Sequence, residues 1–323
     1  METAGVLATV PLLDGIDDGD LAEIAGLMRR RQLVPGDVLW REGEEATALH
    51  LIADGRVSVS LRLPGERTVE VFSLGPGEML GEIPLLDGGR HPTSARVAEY
   101  ASVLSLSRTD FMALVSRRHP TAFTIKRRIA GVACARLRSQ LEALAASLPD
   151  ARTRPREPSP VASSAFADLE FCGPPHHAYI RRLATFRAFD SLALWGFLTA
   201  GRFATCPAGR TVVPEGTAST ACYLTMNGAV EKVIVRGGRR IRVGLAGPGQ
   251  AFGYESLIDG GPCPVTATTR ERTLMLVLPQ AAFERLFGGE ESESRVFLDV
   301  IHRDLMAALR QALRPHARLA ASV

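Results

Sequence analysis

Leu74-Gly-Pro-Gly-Glu-Met-Leu-Gly-Glu-Ile-Pro-Leu-Leu-Asp-Gly-Gly89 returns later in the chain as Ala246-Gly-Pro-Gly-Gln-Ala-Phe-Gly-Tyr-Glu-Ser-Leu-Ile-Asp-Gly-Gly261. The offset of 172 residues, Gly81 to Gly253, holds without a gap through Pro92/Pro264, Ala95/Ala267 and Phe111/Phe283. Upstream the match continues with one residue of slip: Glu42-Gly43 answers Glu215-Gly216, and Gly55-Arg-Val57 answers Gly228-Ala-Val230. Two copies are too few for a solenoid, so the chain reads as a tandem pair of similar domains. The expected bounds are 1–148 for the first and 179–323 for the second. Residues 149–178, whose first part is rich in Pro, Arg and Ser, form the expected linker.

Within each copy the periodicity is mostly two. Ala48-Leu-His-Leu-Ile52, Arg56-Val-Ser-Val-Ser-Leu61 and Thr68-Val-Glu-Val-Phe72 alternate as short strands. Cys222-Tyr-Leu-Thr-Met226, Val230-Glu-Lys-Val-Ile-Val235 and Arg240-Ile-Arg-Val243 follow in the same order, with a hairpin turn at Gly237-Gly238. Gly and Pro punctuate them at Pro35-Gly36, Pro64-Gly65 and Gly75-Pro-Gly77. This predicts a mainly β fold with flanking helices (α+β): two tandem antiparallel β-barrel or jelly-roll domains, each followed by a long amphipathic helix. The helix after the first carries Ile125, Ile129, Val132, Leu137, Leu141, Leu144 and Leu148. The helix after the second carries Phe297, Ile301, Leu305, Leu309 and Leu313. A stripe that wide needs a partner surface. The near-heptad seam of the first helix, interrupted between Val132 and Leu137, predicts a homodimer.

Composition excludes several classes. Hydrophobic residues make up 46% and charged residues 23%, which fits a folded globular chain and not a disordered one. No apolar run approaches the ~18 residues of a membrane span, and Met1 to Pro11 lacks the basic region of a secretory signal. A net charge of +3 gives no independent pointer to nucleic acid. Only Lys126 and Lys232 are lysine among the basic residues, a bias that reads as GC-rich bacterial coding. Five cysteines without a CxxC pair indicate a reducing compartment, so a cytoplasmic protein without disulfides is expected. Cys172 lies near His176 and His177, but three such residues do not complete a tetrahedral set, and no metal is expected.

The repeated loop carries the suggestive chemistry. A glycine after a strand allows a sharp turn. A short helical run beginning there leaves backbone amides free to attract a phosphate. Glu82 cannot favour that phosphate, so its carboxylate would bond a neutral group such as a sugar hydroxyl. A phosphate cradle beside a hydroxyl-reading carboxylate describes a nucleotide pocket.

On these residues the chain resembles the cyclic nucleotide-binding domain family, over roughly 7–148 and 180–323. The family cassette reads Gly-Glu-x-x-Leu-Leu and, a few residues later, Pro-Arg-x-Ala-Thr-Val. Gly81, Glu82, Leu85 and Leu86 match it. The paired arrangement is similar to that of protein kinase A regulatory subunits, and each copy to the sensor domain of bacterial catabolite activators. The resemblance implies that the glutamate holds a ribose 2′-hydroxyl, an arginine holds the cyclic phosphate, and the helix after each domain acts as a lid. It places candidate ligand contacts at Gly81, Glu82, Ile83, Pro84, Leu85, Arg90, His91, Ser94 and Ala95. In the second copy it places them at Gly253, Tyr254, Glu255, Cys263, Thr266 and Ala267.

Both copies depart from the pattern at the arginine. His91 or Thr93 takes that position in the first copy, with Arg90 one place early; Cys263 or Val265 takes it in the second. Tyr254 follows Gly253, and Glu255 comes one residue late. A charge-assisted hydrogen bond is worth about 1.5–3 kcal/mol, so its loss weakens cAMP binding roughly ten- to several-hundred-fold. Several readings stay open: Glu82 as ribose ligand or surface carboxylate, His91 as protonatable phosphate partner or plain loop residue, Cys263 as redox thiol or buried filler, Tyr254 as base platform or pocket plug. Arg181-Arg182-Leu-Ala184 has the look of a kinase pseudosubstrate.

No GxSxG, HExxH or P-loop motif occurs, so no enzyme and no catalytic residue or cofactor is expected. Only Pro315 to Val323 follow the final apolar stripe, which leaves no expected helix-turn-helix and no specific DNA binding. The expectation is a signal-sensing regulatory protein that binds a cyclic nucleotide and acts on an unidentified protein partner, with no membrane contact. The alternative is a degenerate, ligand-free pair serving as an assembly module.

Overall fold

The computed structural model describes residues 7, 10, 13–63, 67–82, 86, 89–146, 169–236 and 239–320. The chain divides into two compact units, Met1–Ile129 with His316–Val323, and Ala130–Pro315.

The first unit opens with α1 (Asp18–Leu27), whose start is capped by the Asp17 carboxylate accepting from the Asp20 amide at 3.0 Å. Eight strands follow: β1 (Met28–Leu33), β2 (Val38–Trp40), β3 (Ala48–Asp54), β4 (Val57–Arg62), β5 (Thr68–Leu74), β6 (Met79–Leu80), β7 (Ser94–Val97) and β8 (Ala101–Ser107). They form two antiparallel four-stranded sheets, ordered β1-β8-β3-β6 and β2-β7-β4-β5. Trp40, Ile52, Val57, Val59, Leu74, Leu80 and Ala95 come from both sheets and make one core between them. Then come α2 (Arg108–Ser116) and α3 (Pro120–Ala146).

The second unit holds β9 (Glu170–Cys172), α4 (His177–Arg182), a 3₁₀ turn at Ala184–Ala188 and α5 (Ser191–Thr199). Its strands are β10 (Arg202–Cys206), β11 (Thr211–Val213), β12 (Ala221–Asn227), β13 (Val230–Arg236), β14 (Arg239–Ala246), β15 (Ala251–Phe252), β16 (Thr266–Thr269) and β17 (Thr273–Pro279). The short helix α6 (Glu255–Asp259) lies between β15 and β16, and α7 (Gln280–Gly288) and α8 (Ser292–Ala320) follow, the second unit ending at Pro315 within α8. The sheets are ordered β15-β12-β17-β10-β9 and β11-β16-β13-β14. Apart from β9, this is the first unit's topology strand for strand.

Even the irregularities repeat. The register slips between Ile52 and Asp54 and again between Thr225 and Asn227. It slips between Val59 and Ser60 and again between Lys232 and Val233. The first pair of bulges leads into Gly55 and Gly228, at φ 83° and 90°. A Cβ on Gly55 would sit 1.9 Å from the Tyr100 carbonyl oxygen, so sterics as well as the left-handed backbone demand glycine there.

Of the two expected architectures the jelly roll is the one found: each unit is two facing sheets, and no closed barrel forms among the described residues. The expected linker is shorter, because Glu170–Cys172 pairs with Thr205–Phe203 and widens the second unit's sheet. Phe171 on that strand is covered by the Arg202 guanidinium, 3.9 Å from the ring centroid. Residues 149–168 of that linker lie outside the described residues, as does the Gly237-Gly238 turn.

The unit boundary falls inside α3 and not at 148. Ile125 and Ile129 belong to the first unit; Leu137, Leu141 and Leu144 belong to the second, and all five are buried. Leu137 and Leu141 line a cavity with Lys232 and Asp304 of the same unit. At these positions the stripe assigned to a homodimer seam is covered by the chain itself, whereas Val132 is half-buried and Leu148 lies outside the described residues. Phe297, Ile301, Leu305, Leu309 and Leu313 of α8 are likewise all buried within one chain.

Candidate functional site

In the first unit β6 ends at Gly81, at φ 82°, where a Cβ would meet the Ala48 carbonyl oxygen at 2.9 Å. The chain turns there and delivers Glu82 inward. Glu82 is only 1% exposed, so the surface-carboxylate reading is wrong. Ile83, Pro84 and Leu85 lie outside the described residues.

Beside this turn stands an aromatic stack. Trp40 packs face to face on His91, with centroids 4.2 Å apart and planes 11° apart, and on His50 at 5.6 Å. The indole Nε1 donates to the Thr93 carbonyl at 2.9 Å, which fixes the ring. His50 Nδ1 lies 2.8 Å from Ser105 Oγ. Burial pushes His91 down to about 4 against a weaker upward pull from Glu44. Burial, with Arg31 and His91 adding to it, pushes His50 down to about 4 as well. Both imidazoles are neutral near pH 7, so His91 supplies no positive charge for a phosphate there.

Arg90 does not take up that role. It is exposed, donates to the Gly43 carbonyl at 2.7 Å and pairs with Glu45 at 3.5 Å. Ser94 Oγ accepts from the Glu42 amide at 3.0 Å, and Ala95 is buried in the inter-sheet core. The first site thus brings Gly81, Glu82 and His91 to one place and leaves Arg90 outside it.

The second copy repeats the turn and changes the chemistry. Gly253, at φ 76°, sits against Val213, Tyr223 and the Ala221 carbonyl, the counterparts of Trp40, His50 and Ala48. Tyr254 follows and is fully buried. Its hydroxyl donates to Asp304 Oδ2 of α8 at 2.8 Å. Lys232 Nζ on β13 donates to the Ala251 carbonyl at 3.2 Å and to the same Asp304 oxygen at 3.5 Å. Burial alone would pull the lysine down, but Asp304 and Glu255 outweigh it and keep the ammonium charged. Glu255 is 3% exposed, and burial pushes its carboxyl up against the opposing pull of Lys232.

The space left is small. A cavity of about 20 Å³ remains among Lys232, Glu255, Asp304, Gln250, Gln311 and Leu141. That holds about one water and no nucleotide. Of the two readings for Tyr254, the plug is the one realised. Cys263 is buried, with its thiol pushed up to about 12 by burial, which matches the buried-filler reading. Thr266 Oγ1 accepts from the Glu215 amide at 3.1 Å, and Ala267 is core.

Two arginines are tied into the second unit. The first is Arg138 of α3, whose side chain is only 17% exposed. Its Nη2 grips Asp259 of α6 at 2.9 and 2.7 Å, and its Nη1 donates to the Pro262 carbonyl. In the pseudosubstrate-like stretch, Arg181 is engaged with the Phe189 carbonyl at 2.8 Å and Ser191 Oγ at 3.0 Å. Thr185 is buried and donates to the Gly249 carbonyl at 2.6 Å. That segment is part of the second unit's fold. Trp40, His50, Lys232 and Asp304 were missed as site residues. The available signal was the rarity of lysine and an acid breaking the apolar stripe of α8.

The Cyclic nucleotide-binding domain model matches residues 30–118 and 204–289, together more than half of the chain. A putative potassium channel protein of Rhodopseudomonas palustris is 32% identical over 126 residues, 39% of this chain and 30% of its own length. The cyclic AMP receptor protein of Thermus thermophilus is 32% identical over 145 residues, 45% of this chain and 65% of its own. The match spans less than two thirds of both relatives. Among solved structures, the regulatory domain of Toxoplasma gondii PKA with cAMP aligns over 90% of this chain and 92% of its own, at 18% identity and a TM-score of 0.34. The chain belongs to the cyclic nucleotide-binding domain family and carries that domain twice.

Proposed function

We propose that the chain is a non-enzymatic regulatory protein whose first jelly roll is the ligand-responsive copy and whose output is a protein partner. The observation that carries this reading is the buried Glu82 directly after the left-handed Gly81, against Tyr254 at the matching place in the second copy. A buried carboxylate beside a strand-ending turn is placed to accept from a hydroxyl of a bound ribose. The ligand class is a cyclic nucleotide, held more weakly than in relatives with the arginine. Output through a protein is supported by Leu192 and Trp195, one helical turn apart on α5 and 81% and 68% exposed. No helix among the described residues is long and apolar enough to cross a membrane, and a cytoplasmic site of action fits five cysteines that form no disulfide.

A second reading, a ligand-free assembly module, is favoured by the neutral His91 and the outward Arg90. A thermal-shift titration with cAMP and cGMP separates the two. Ligand at 100 times its dissociation constant adds about 2.7 kcal/mol to the unit that binds it. That gain is expected in the wild type and in Glu255→Gln, and is expected to vanish in Glu82→Ala. No gain at any concentration supports the module; a gain lost only in Glu255→Gln assigns the ligand to the other copy.

A further inference from the structure

We propose that the second jelly roll is latched shut by its own side chains: Tyr254 and Lys232 hold Asp304 of α8 against the sheet, so that this helix is closed with no ligand. Donors from two separate segments, Tyr254 and Lys232, meet on one carboxylate oxygen of a third. In the first copy the matching positions are Glu82, Val59 and Val132, a set that cannot form this triad. The equivalence holds in register, since α3 starts at Pro120 and α8 at Ser292, the same 172-residue offset as Gly81 to Gly253.

Apolar residues alone would hold α8 down, as Phe297, Ile301, Leu305 and Leu309 already do. They would tolerate sliding. A buried carboxylate fed by a phenol and an ammonium accepts only one placement of the helix, because any other leaves a buried charge unpaired. The turn is tied as well, by Arg138 on Asp259. Helix and turn are therefore joined through the chain's own groups, and the water-sized cavity between them offers a nucleotide no room. This inference does not depend on whether the first copy binds ligand.

Hydrogen exchange on the full chain tests it. In the wild type the amides of 297–313 should be strongly protected and unaffected by millimolar cAMP. Tyr254→Phe removes one hydrogen bond to a charged acceptor and keeps the ring. It should speed exchange across 297–313 about tenfold or more while the amides of β17 keep theirs. Should Tyr254→Phe fold poorly, Asp304→Asn keeps the side-chain shape and should show the same selective opening. Unchanged α8 exchange in either variant overturns the latch. So does an equal rise in β17, which would make the network ordinary core packing, or added α8 protection when cAMP is given to the wild type.

Discussion

Asp304→Ala is expected to weaken the closure of α8 on the second unit by about 3–5 kcal/mol, the usual cost of stranding one partner of a buried ion pair. The side chains of Lys232 and Asp304 are only 10% and 7% exposed, so solvent screening offers little relief. Without Asp304 the ammonium keeps the Ala251 carbonyl and the neighbourhood of Glu255, and the Tyr254 hydroxyl loses its acceptor. The double change Lys232→Met with Asp304→Leu should recover most of the loss, because it removes both charges and fills the volume. Native-state hydrogen exchange across 297–313 reads this loss, while the amides of β17 keep their protection. A loss below about 1 kcal/mol in Asp304→Ala would mean the pair is solvated and carries no structural weight.

The first unit is expected to lose several kcal/mol of stability between pH 6.5 and pH 4. His50 and His91 have folded values pushed down to about 4, against 6.5 when free. In that window the unfolded chain binds more protons than the folded one, so stability rises with pH across it. The contribution is complete above 6.5 and is lost as pH falls toward 4. A tenfold change in proton affinity corresponds to about 1.36 kcal/mol, so each histidine accounts for about 3 kcal/mol. Protonated His91 would gain a cation–π contact with Trp40, but that is worth about 1–2 kcal/mol and does not offset the burial cost. Trp40 fluorescence in a Trp195→Phe background reports the transition. His50→Gln and His91→Gln should each flatten the acid slope by about half, and a wild-type stability flat from pH 7 to 4.5 would show both histidines to be exposed to water.

Much of the fold was legible because it rests on local signals. Glycines at positive φ, prolines and two-residue alternation mark many of the strands and turns, and they occur twice in one order. The closed-barrel alternative survived because strand lengths alone do not say whether two sheets join at their edges. The turn at Gly81 was legible too, as a glycine directly after a strand, while the burial of Glu82 was left open beside a surface reading. The latch was not. Lys232 and Asp304 are 72 residues apart, and Arg138 and Asp259 are 121 apart. Nothing in local periodicity links them; on a helical wheel Asp304 reads as a solvated acid and Arg138 as a basic face. The neutral histidines were hidden for the same reason, since they are neutral through burial beside a tryptophan on a different strand.

Isothermal titration of the full chain with cAMP tests the central claim, that the first copy takes the ligand while the second fills its own site. The expected stoichiometry is one nucleotide per chain, abolished by Glu82→Ala and unchanged by Tyr254→Phe. Two nucleotides per chain, or a single one that survives Glu82→Ala, would contradict it.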